Sequence, residues 1–338
     1  VPYSSARDEY TGSAAVFLDA NENPFNGPYN RYPDPHQTAL KEKIGLLKNA
    51  DPRQLFIGNG SDEAIDILFR IFCTPGVDNV VAIDPTYGMY QVSADINNVA
   101  LRKVSLTASF GLDLPALISA CDAQTKMLFI CSPNNPTSNS FAAEEILAIA
   151  GQLDVMVVVD EAYIDFSQRE SLKNHVAEVP NLVVLQTFSK AWALAGIRLG
   201  LAIADPEVIR YMSMVKYPYN VNMLTQQFAL EALENEAQVQ EWIALILEER
   251  GHLEHKLNQF SFVEKVYPSD ANFLLVKVGK PKKVYNYLVE KKIIVRDRSN
   301  IRLCYGSLRI TVGTEAENRV LTDALTQYQH DFIDSCGL

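Results

Sequence analysis

The sequence predicts an α/β fold in which a mostly parallel β-sheet is covered by helices on both faces and a smaller α/β domain follows. Short apolar, β-branched runs alternate with helical patterns through the middle of the chain, as in sheets buried on both faces. A long helical pattern then precedes a second set of strands and helices. The 338 residues, 48% of them hydrophobic, suffice for one large and one smaller core.

The large domain is predicted from its strands and the helices between them. The strands are Val80 to Ile83, Met127 to Cys131, Val155 to Val159, Leu182 to Gln186 and Leu199 to Ala204. Apolar residues at helical spacing predict helices at Ser61 to Phe72 and Phe141 to Gly151, and a glycine suits the end of the second.

The two ends of the chain have different patterns. The first thirty residues lack periodicity and predict an irregular arm. Thr225 to Phe260 predicts one long helix that bridges two domains. The elements expected beyond it are a strand at Ala271 to Val278, a helix at Pro281 to Lys291, strands near Ile293 to Val295 and Leu308 to Val312, and a helix from Thr314. We therefore expect an arm (residues 1–30) packed on the small domain, a large domain (31–245) and a small domain (246–338).

Charge and composition exclude several classes of function. The formal net charge of -11 argues against a nucleic-acid partner, which requires clustered Lys and Arg. No apolar run is long enough to span a bilayer. The five cysteines are odd in number and lack a Cys-x-x-Cys pair, which predicts a reduced, cytoplasmic protein. His252 and His255 are interpreted as solvated, and no metal site is expected.

Polar residues follow five apolar runs, at the sheet edge where open parallel sheets bind ligands. This convergence predicts a polar ligand. The five segments are Gly58 to Glu63, Pro85 to Tyr87, Pro133 to Pro136, Asp160 to Tyr163, and Thr187 to Lys190.

Three of these segments suggest specific chemistry. Gly58 to Glu63 could hold an anion on the free N–H groups of a helix start, although Ser61 could instead cap that helix. Asp160 ends an apolar run and requires a cationic partner, unless it caps a turn. A lysine in a dry pocket near other cations has a lowered pKa and attacks aldehydes; Lys190 is assigned this role rather than a surface one because of its neighbours.

These segments together resemble the fold-type-I pyridoxal-phosphate enzymes, within them the aminotransferases, and most specifically the histidinol-phosphate aminotransferase family. The resemblance covers nearly the whole chain and implies a seven-stranded sheet in the large domain. Ser138 departs from the family pattern, which usually has glycine there. The motifs are Asn21 to Pro24, Arg31 to Asp34, Gly58 to Glu63, Pro85 to Tyr87, Ser132 to Thr137, Val159 to Tyr163, Thr187 to Arg198, Tyr219 to Asn222, Val295 to Asp297 and Leu308 to Gly313.

The resemblance implies a role for each residue around the pyridoxal ring. Lys190 would form a Schiff base with the cofactor and carry the proton that the substrate carbon loses. Asp160 would pair with the pyridine nitrogen. Tyr163 and Asn135 would bind the phenolic oxygen, and Tyr87 would stack on the ring.

The resemblance also implies how the cofactor phosphate is held. Arg198 would be its main partner, helped by the hydroxyls of Ser189 and Thr187. Tyr32 would reach the phosphate from a neighbouring subunit, which implies a homodimer with a shared active site; alternatively, Tyr32 is an aromatic residue in a turn. Backbone groups would be supplied by Gly60, Ser61 and Asp62.

The implied substrates are histidinol phosphate and glutamate with 2-oxoglutarate, in histidine biosynthesis. Arg309 would bind the carboxylate or phosphate of either substrate. Arg296 would assist, unless it forms a structural ion pair with Asp297 or another acid. Asn21, Glu22 and Tyr219 would contact the imidazole end.

Three other functions remain open at this stage. A phosphothreonine-type decarboxylase has similar motifs and would release carbon dioxide without a glutamate half-reaction. An aromatic amino acid aminotransferase would turn over phenylalanine or tyrosine faster than histidinol phosphate. A regulatory protein that binds the cofactor without turnover would be catalytically silent.

Overall fold

Two β-sheets organise the chain in a computed structural model, which describes residues 6–10, 12, 15–25 and 27–334. The larger sheet has seven strands in the order β1-β7-β6-β5-β4-β2-β3. Only β7 runs antiparallel to its neighbours, so the sheet is mostly parallel and the predicted α/β class is confirmed. The strands are β1 (Leu55–Asn59), β2 (Asn79–Asp84), β3 (Ala100–Ser105), β4 (Thr125–Cys131), β5 (Met156–Asp160), β6 (Leu182–Thr187) and β7 (Leu199–Ala204).

Helices cover both faces of this sheet. Along β5, Val157 and Val159 belong to one core cluster and Val158 to another, which explains the uninterrupted apolar sequence of the central strands. The α-helices of the chain are α1 (Ala6–Glu9), α2 (Thr38–Lys48), α3 (Ser61–Phe72), α4 (Met89–Ile96), α5 (Leu114–Ala120), α6 (Ala143–Gln152), α7 (Pro206–Val215), α8 (Met223–Ala232), α9 (Glu236–Leu257), α10 (Pro281–Glu290) and α11 (Glu315–Gln329).

The predicted long helix from Thr225 to Phe260 is wrong as a single element. A 3-10 turn at Leu233–Asn235 separates α8 from α9, and α9 ends at Leu257. Asn235 has φ -101° and ψ 36°, outside the helical region, in keeping with its weak helix propensity. The turn also buries Leu233 in the core.

The smaller sheet is antiparallel throughout, in the order β10-β11-β9-β8. Its strands are β8 (Val263–Val266), β9 (Phe273–Val278), β10 (Arg296–Asp297) and β11 (Ser307–Thr311). The strand expected near Ile293 to Val295 begins only at Arg296, as β10, because the Ile293 amide closes the turn after α10 by donating to the Leu288 carbonyl. The expected strands around β9 and β11 are present.

The smaller sheet presents one face to the larger sheet. Leu274 and Leu308 belong to the core that contains Leu288 and Leu321 of α10 and α11. Phe273 and Leu275, with the opposite orientation, belong to the same core cluster as Val159 of the larger sheet and Tyr163 just beyond it. The side chains on this second face therefore border the large sheet.

The division into residues 1–30, 31–245 and 246–338 stays a prediction, and its second boundary falls inside α9. No helix in the part of the chain that the structure describes combines the length and the apolar character needed to cross a membrane.

Candidate active site

A cavity of about 120 Å³ opens at the carboxyl edge of the larger sheet. All five polar segments identified in the sequence contribute to it, as expected for strand ends that meet at one edge. Among the residues predicted to bind the cofactor, all but Tyr32 line this cavity. Its lining residues are Gly60, Ser61, Asp62, Tyr87, Cys131, Asn135, Asp160, Ala162, Tyr163, Thr187, Ser189, Lys190 and Arg198.

Two glycines let the start of α3 approach β7 closely. A Cβ on Gly200 would lie 2.1 Å from the Ser61 backbone nitrogen, a separation that no side chain can accept. Gly60 has φ +73°, and a Cβ there would lie 2.7 Å from Arg198 Nη2. The Gly60 amide also donates to the Arg198 carbonyl at 2.8 Å. This packing places a guanidinium beside the first turn of a helix.

The first turn of α3 has no side-chain cap. The cap position is occupied by Gly60, so the alternative in which Ser61 caps the helix is wrong. Free N–H groups at a helix start favour an anion, and Arg198 adds a full positive charge next to them. Asp62 lies in the same turn, accepts a hydrogen bond from the Tyr87 hydroxyl at 3.1 Å, and approaches Arg198 Nη2 at 3.5 Å.

The hydroxyls of Thr187 and Ser189 lie 3.0 Å apart at the end of β6. The Ser189 amide donates to the Thr187 hydroxyl at 3.1 Å, which fixes the turn leading to Lys190. Two hydroxyls thus join the guanidinium of Arg198 in lining the cavity, and the three groups form a donor set suited to a phosphate.

Asp160 is a buried acid at the end of β5. Burial raises its pKa to about 6, although hydrogen bonds from the Tyr90 hydroxyl (2.8 Å) and the Ala162 amide (3.1 Å) favour the charged form. The Ala162 bond shows that Asp160 also caps a turn, so this alternative holds beside the functional one. A protonated ring nitrogen would supply the cationic partner that the buried carboxylate lacks.

Tyr90 was missed in the sequence. It lies on α4, is fully buried, and reaches Asp160 from the side rather than from a strand end. No sequence signal identified it, because Tyr90 lies on a helix rather than at a strand end and reaches Asp160 only through tertiary packing.

Lys190 borders the cavity with its amine 5.6 Å from the centre of the Tyr163 ring. Although the amine is accessible from the cavity, desolvation by the surrounding residues lowers its pKa, and the charge of Arg309 lowers it further. A lower pKa increases the fraction of neutral amine, which is the nucleophilic form.

Arg309 connects the two sheets at this site. It lies on β11, and its Nη1 donates to the Asn135 amide oxygen at 2.6 Å. This bond leaves the amide nitrogen of Asn135 as a donor for a ligand. Burial lowers the pKa of the half-buried Arg309 guanidinium.

Four predicted residues, Asn21, Glu22, Tyr32 and Tyr219, line a second cavity of about 570 Å³. It has no lining residue in common with the first. Tyr32 stacks on Tyr219 with ring centres 4.4 Å apart. Arg7 and Arg31 bind the Glu22 carboxylate, and the hydrogen bond from Arg7 lowers the pKa of Glu22 to about 2. A single chain therefore does not bring these four residues to the cofactor cavity.

Arg296 lies directly opposite Arg309 in the pairing of β10 with β11. The alternative of an ion pair between Arg296 and Asp297 is wrong, because Asp297 pairs with Lys282. Ser138, which replaces the family's usual glycine, has φ +66°, the left-handed conformation that glycine adopts readily. Its hydroxyl donates to backbone carbonyls, one of them that of Pro268.

Comparison with known proteins gives a consistent result over the whole chain. A family model described as aminotransferase class I and II matches residues 10–325. A histidinol-phosphate aminotransferase of Parabacteroides distasonis is 55% identical over 96% of this chain and 94% of its own length. The protein of the same name from Bacteroides fragilis is 53% identical over 97% and 95%.

Solved structures below 25% identity agree in fold. The histidinol-phosphate aminotransferase of Clostridium acetobutylicum aligns with a TM-score of 0.83 at 23% identity, over 90% of this chain and 92% of that chain. The enzyme of the same name from Sinorhizobium meliloti, solved with pyridoxal-5'-phosphate, gives 0.81 at 22% identity, over 91% and 89%. An L-threonine-O-3-phosphate decarboxylase of Porphyromonas gingivalis gives 0.76 at 23% identity, over 90% and 92%. The fold alone thus does not separate transaminase from decarboxylase.

Proposed function

We infer that this chain, which belongs to the class I and II aminotransferase family, moves an amino group between L-histidinol phosphate and 2-oxoglutarate. The carrying observation is identity of 53 to 55% with histidinol-phosphate aminotransferases over nearly the full length. It favours transamination in histidine biosynthesis over the decarboxylase and the aromatic aminotransferase. The enzyme depends on pyridoxal 5'-phosphate.

The cofactor, when bound, supplies an aldehyde for an amine to capture and a ring that accepts electrons when the substrate carbon loses its proton. The cavity fits it, since a buried acid, an amine whose pKa is lowered and a donor set suited to a phosphate line the same space. We assign Lys190 the nucleophilic amine, and its Nζ moves the proton to and from the substrate carbon.

Asp160 holds a proton on the ring nitrogen in this proposal. The hydrogen bonds from Tyr90 and the Ala162 amide keep the carboxylate oriented and favour its charged form. Tyr163 and Asn135 bind the phenolic oxygen, and Tyr87 packs on the ring. The chain's contribution is to fix the charge and orientation of each group before the substrate arrives.

The phosphate of the cofactor lies, we propose, at the start of α3. Arg198 makes the charged contact, and the hydroxyls of Ser189 and Thr187 add neutral donors. The backbone of Gly60, Ser61 and Asp62 completes this set, and Gly60 has no side chain to obstruct it. Phosphate binding at this end leaves the Lys190 end of the cavity for the substrate.

Arg309 is the proposed partner of the substrate anion, with Arg296 beside it. Glutamate carries an α-carboxylate, and histidinol phosphate carries a phosphate ester where that group would be. A guanidinium can make two parallel hydrogen bonds to either anion. The bond from Arg309 to Asn135 holds the guanidinium at the cavity.

We propose a homodimer in which Asn21, Glu22, Tyr32 and Tyr219 of one subunit serve the cavity of the other. The proposal is supported by the position of these four residues, which within one chain line a cavity that has no lining residue in common with the cofactor cavity. Tyr32 is half exposed, so its hydroxyl is open to a second chain. A cytoplasmic location is proposed from the cysteine pattern and from the biosynthetic role.

The function is tested by the spectrum of the bound cofactor during separate half-reactions. Wild-type protein should react with histidinol phosphate and with glutamate, and more slowly with phenylalanine. Lys190→Ala and Lys190→Arg should both lose the covalently bound cofactor and at least a thousandfold in rate, because neither side chain supplies a nucleophilic amine. Lys103→Ala, on the exposed edge strand β3, is the control.

Retention of turnover by Lys190→Ala would refute the assignment of that residue. Release of carbon dioxide from phosphothreonine without a glutamate half-reaction would instead establish the decarboxylase. Faster reaction with phenylalanine than with histidinol phosphate would establish the aromatic aminotransferase.

A further inference from the structure

Three arginines share one face of the β10–β11 pair. Arg296 opposes Arg309 in the antiparallel register, and the Arg298 amide donates to the Ser307 carbonyl at 3.0 Å, which continues the same register. Side chains alternate along a strand, so residues 296 and 298 point to the side on which 307 and 309 lie. Through Arg309, this face contacts the cofactor cavity.

These three charges have no acidic partner. In the described part of the chain, no carboxylate lies within ion-pair distance of Arg296, Arg298 or Arg309. The one neighbouring acid, Asp297, points to the other side of β10 and pairs with Lys282. Like charges directly opposite one another destabilise a sheet. The positive charge on this face is therefore unbalanced, and a bound anion would offset it.

Arg298 is the least satisfied of the three. It is half-buried, and its Nε is fully enclosed without a hydrogen-bond partner among the described residues. The hydroxyl of Ser307, its neighbour across the strand pair, is also buried without a partner. Burying a polar or charged group without a hydrogen-bond partner is unfavourable unless a ligand supplies that partner.

The charge of Arg298 also acts on Tyr163, a residue that lines the cofactor cavity. Burial raises the pKa of Tyr163, and the charges of Arg309 and Arg298 oppose that shift. Arg298 is therefore near enough to a residue of the cofactor cavity for its charge to be felt there. A substrate anion held by Arg309 would come within the field of all three arginines.

We propose that Arg298 is a third arginine of the substrate anion site and selects the phosphate ester over the α-carboxylate. This inference rests on the proposed function, in which Arg309 and Arg296 receive both anions. A phosphate monoester carries between one and two negative charges at neutral pH and three acceptor oxygens, whereas a carboxylate carries one charge and two oxygens. The third guanidinium therefore adds more to the binding of the phosphate ester.

The test compares Arg298→Gln with Arg298→Lys in the cofactor-loaded protein. Half-reactions with histidinol phosphate and with glutamate give an apparent Kd and a limiting rate for each. Arg298→Gln should weaken histidinol phosphate about tenfold, the size of one charge-assisted hydrogen bond, and glutamate less than about threefold. Limiting rates should stay close to wild type, because the residue acts on binding.

Arg298→Lys should recover part of the loss, since it restores the charge without the planar fork. Arg302→Gln is the matched control, because Arg302 is an exposed arginine of the same connection between β10 and β11. Calorimetric binding of inorganic phosphate provides a readout that does not need turnover; it should weaken most in Arg298→Gln, less in Arg298→Lys, and not in Arg302→Gln. Cofactor absorbance and thermal unfolding establish that each variant is folded.

Equal weakening of both substrates, or no change in either, would overturn the selectivity of Arg298. If Arg298→Gln does not fold, Arg298→Lys decides the question. Its apparent Kd for histidinol phosphate should increase more than its apparent Kd for glutamate. An unchanged ratio of the two values would overturn the proposal. Failure of the wild-type protein to react with histidinol phosphate would refute the proposed function instead, and phosphate binding would still decide whether Arg298 contributes to an anion site.

Discussion

Asp160 shows how a single residue acquires its properties from position alone. It ends a strand whose neighbours on both sides are buried, so its carboxylate has little access to water. Desolvation outweighs the two hydrogen bonds that favour the charged form, and the pKa rises to about 6. In the cofactor-free protein, the folded state therefore binds a proton at Asp160 more tightly than the unfolded state does.

This difference makes the stability of the cofactor-free protein depend on pH. Because the folded pKa lies above the ordinary value of about 3.9, the stabilisation from the proton is present at low pH and is lost as pH rises from about 4 to about 6. Asp160→Asn cannot ionise, so it does not lose stability through this titration. As pH rises from about 4 to about 6, its free energy of unfolding should therefore increase relative to that of wild type by about 3 kcal/mol. Urea unfolding of both proteins at several pH values measures the difference, in which other titrating groups cancel. A difference that does not vary with pH would contradict the assignment.

How far the site could be predicted also differs between residues. Lys190, Asp160 and Arg198 could be placed because they stand at ends of apolar strands, where chain position and sheet edge coincide. Tyr90 could not, since it reaches Asp160 from a helix and only tertiary packing brings the two together. The enclosed Nε of Arg298 is likewise a property of burial, which sequence does not reveal.

At the scale of elements, prediction was best where one periodicity dominated. Helix α3 has the expected bounds because its apolar residues follow one helical face and polar glycine-rich sequence precedes it. The edge strand β3 was not predicted, since all of its residues are exposed or half-buried and two of them, Arg102 and Lys103, carry charge. The break between α8 and α9 was missed because helical periodicity continues on both sides of a turn only three residues long.

Helix α11 gives a prediction at this scale. It begins with a capping box, in which the Thr314 hydroxyl accepts from the Glu317 amide and the Glu317 carboxylate accepts from the Thr314 amide. Thr314→Ala removes the acceptor for the helix start and should lower the free energy of unfolding by about 1 kcal/mol. Thr314→Ser keeps a hydroxyl and should stay close to wild type in the same urea titration. Equal losses in both variants would indicate that the methyl group, and not the cap, matters.

At the scale of the whole molecule, two sheets and a pair of separate cavities define the architecture. One face of the smaller sheet shares a core with the larger, and the hydrogen bond from Arg309 to Asn135 joins β11 to the cavity at the edge of the larger sheet. Glu22 of the arm and Tyr32, just after it, line the second cavity instead. A dimer with shared sites is the assembly that would bring both sets of predicted residues together.

Subunit mixing tests that assembly. Lys190→Ala and Tyr32→Ala should each be impaired as homodimers, but a dimer of one subunit of each kind would contain one site with both native residues. With equal amounts and random pairing, half of the dimers are mixed and each has one working site of two, so we expect about a quarter of wild-type activity. The mass of the assembly in solution is measured alongside. Activity no higher than the mean of the two separate variants would show that the sites are not shared.

The reversed direction of β7 has a consequence for how this chain tolerates change in length. Because β7 runs against its neighbours, it begins at the edge where they end, so Lys190 after β6 and Arg198 before β7 are separated by a single short connection. An insertion between Lys190 and Arg198 would displace one of these groups relative to the other. Related sequences should therefore keep this connection at constant length, while the connections at the opposite edge of the sheet vary.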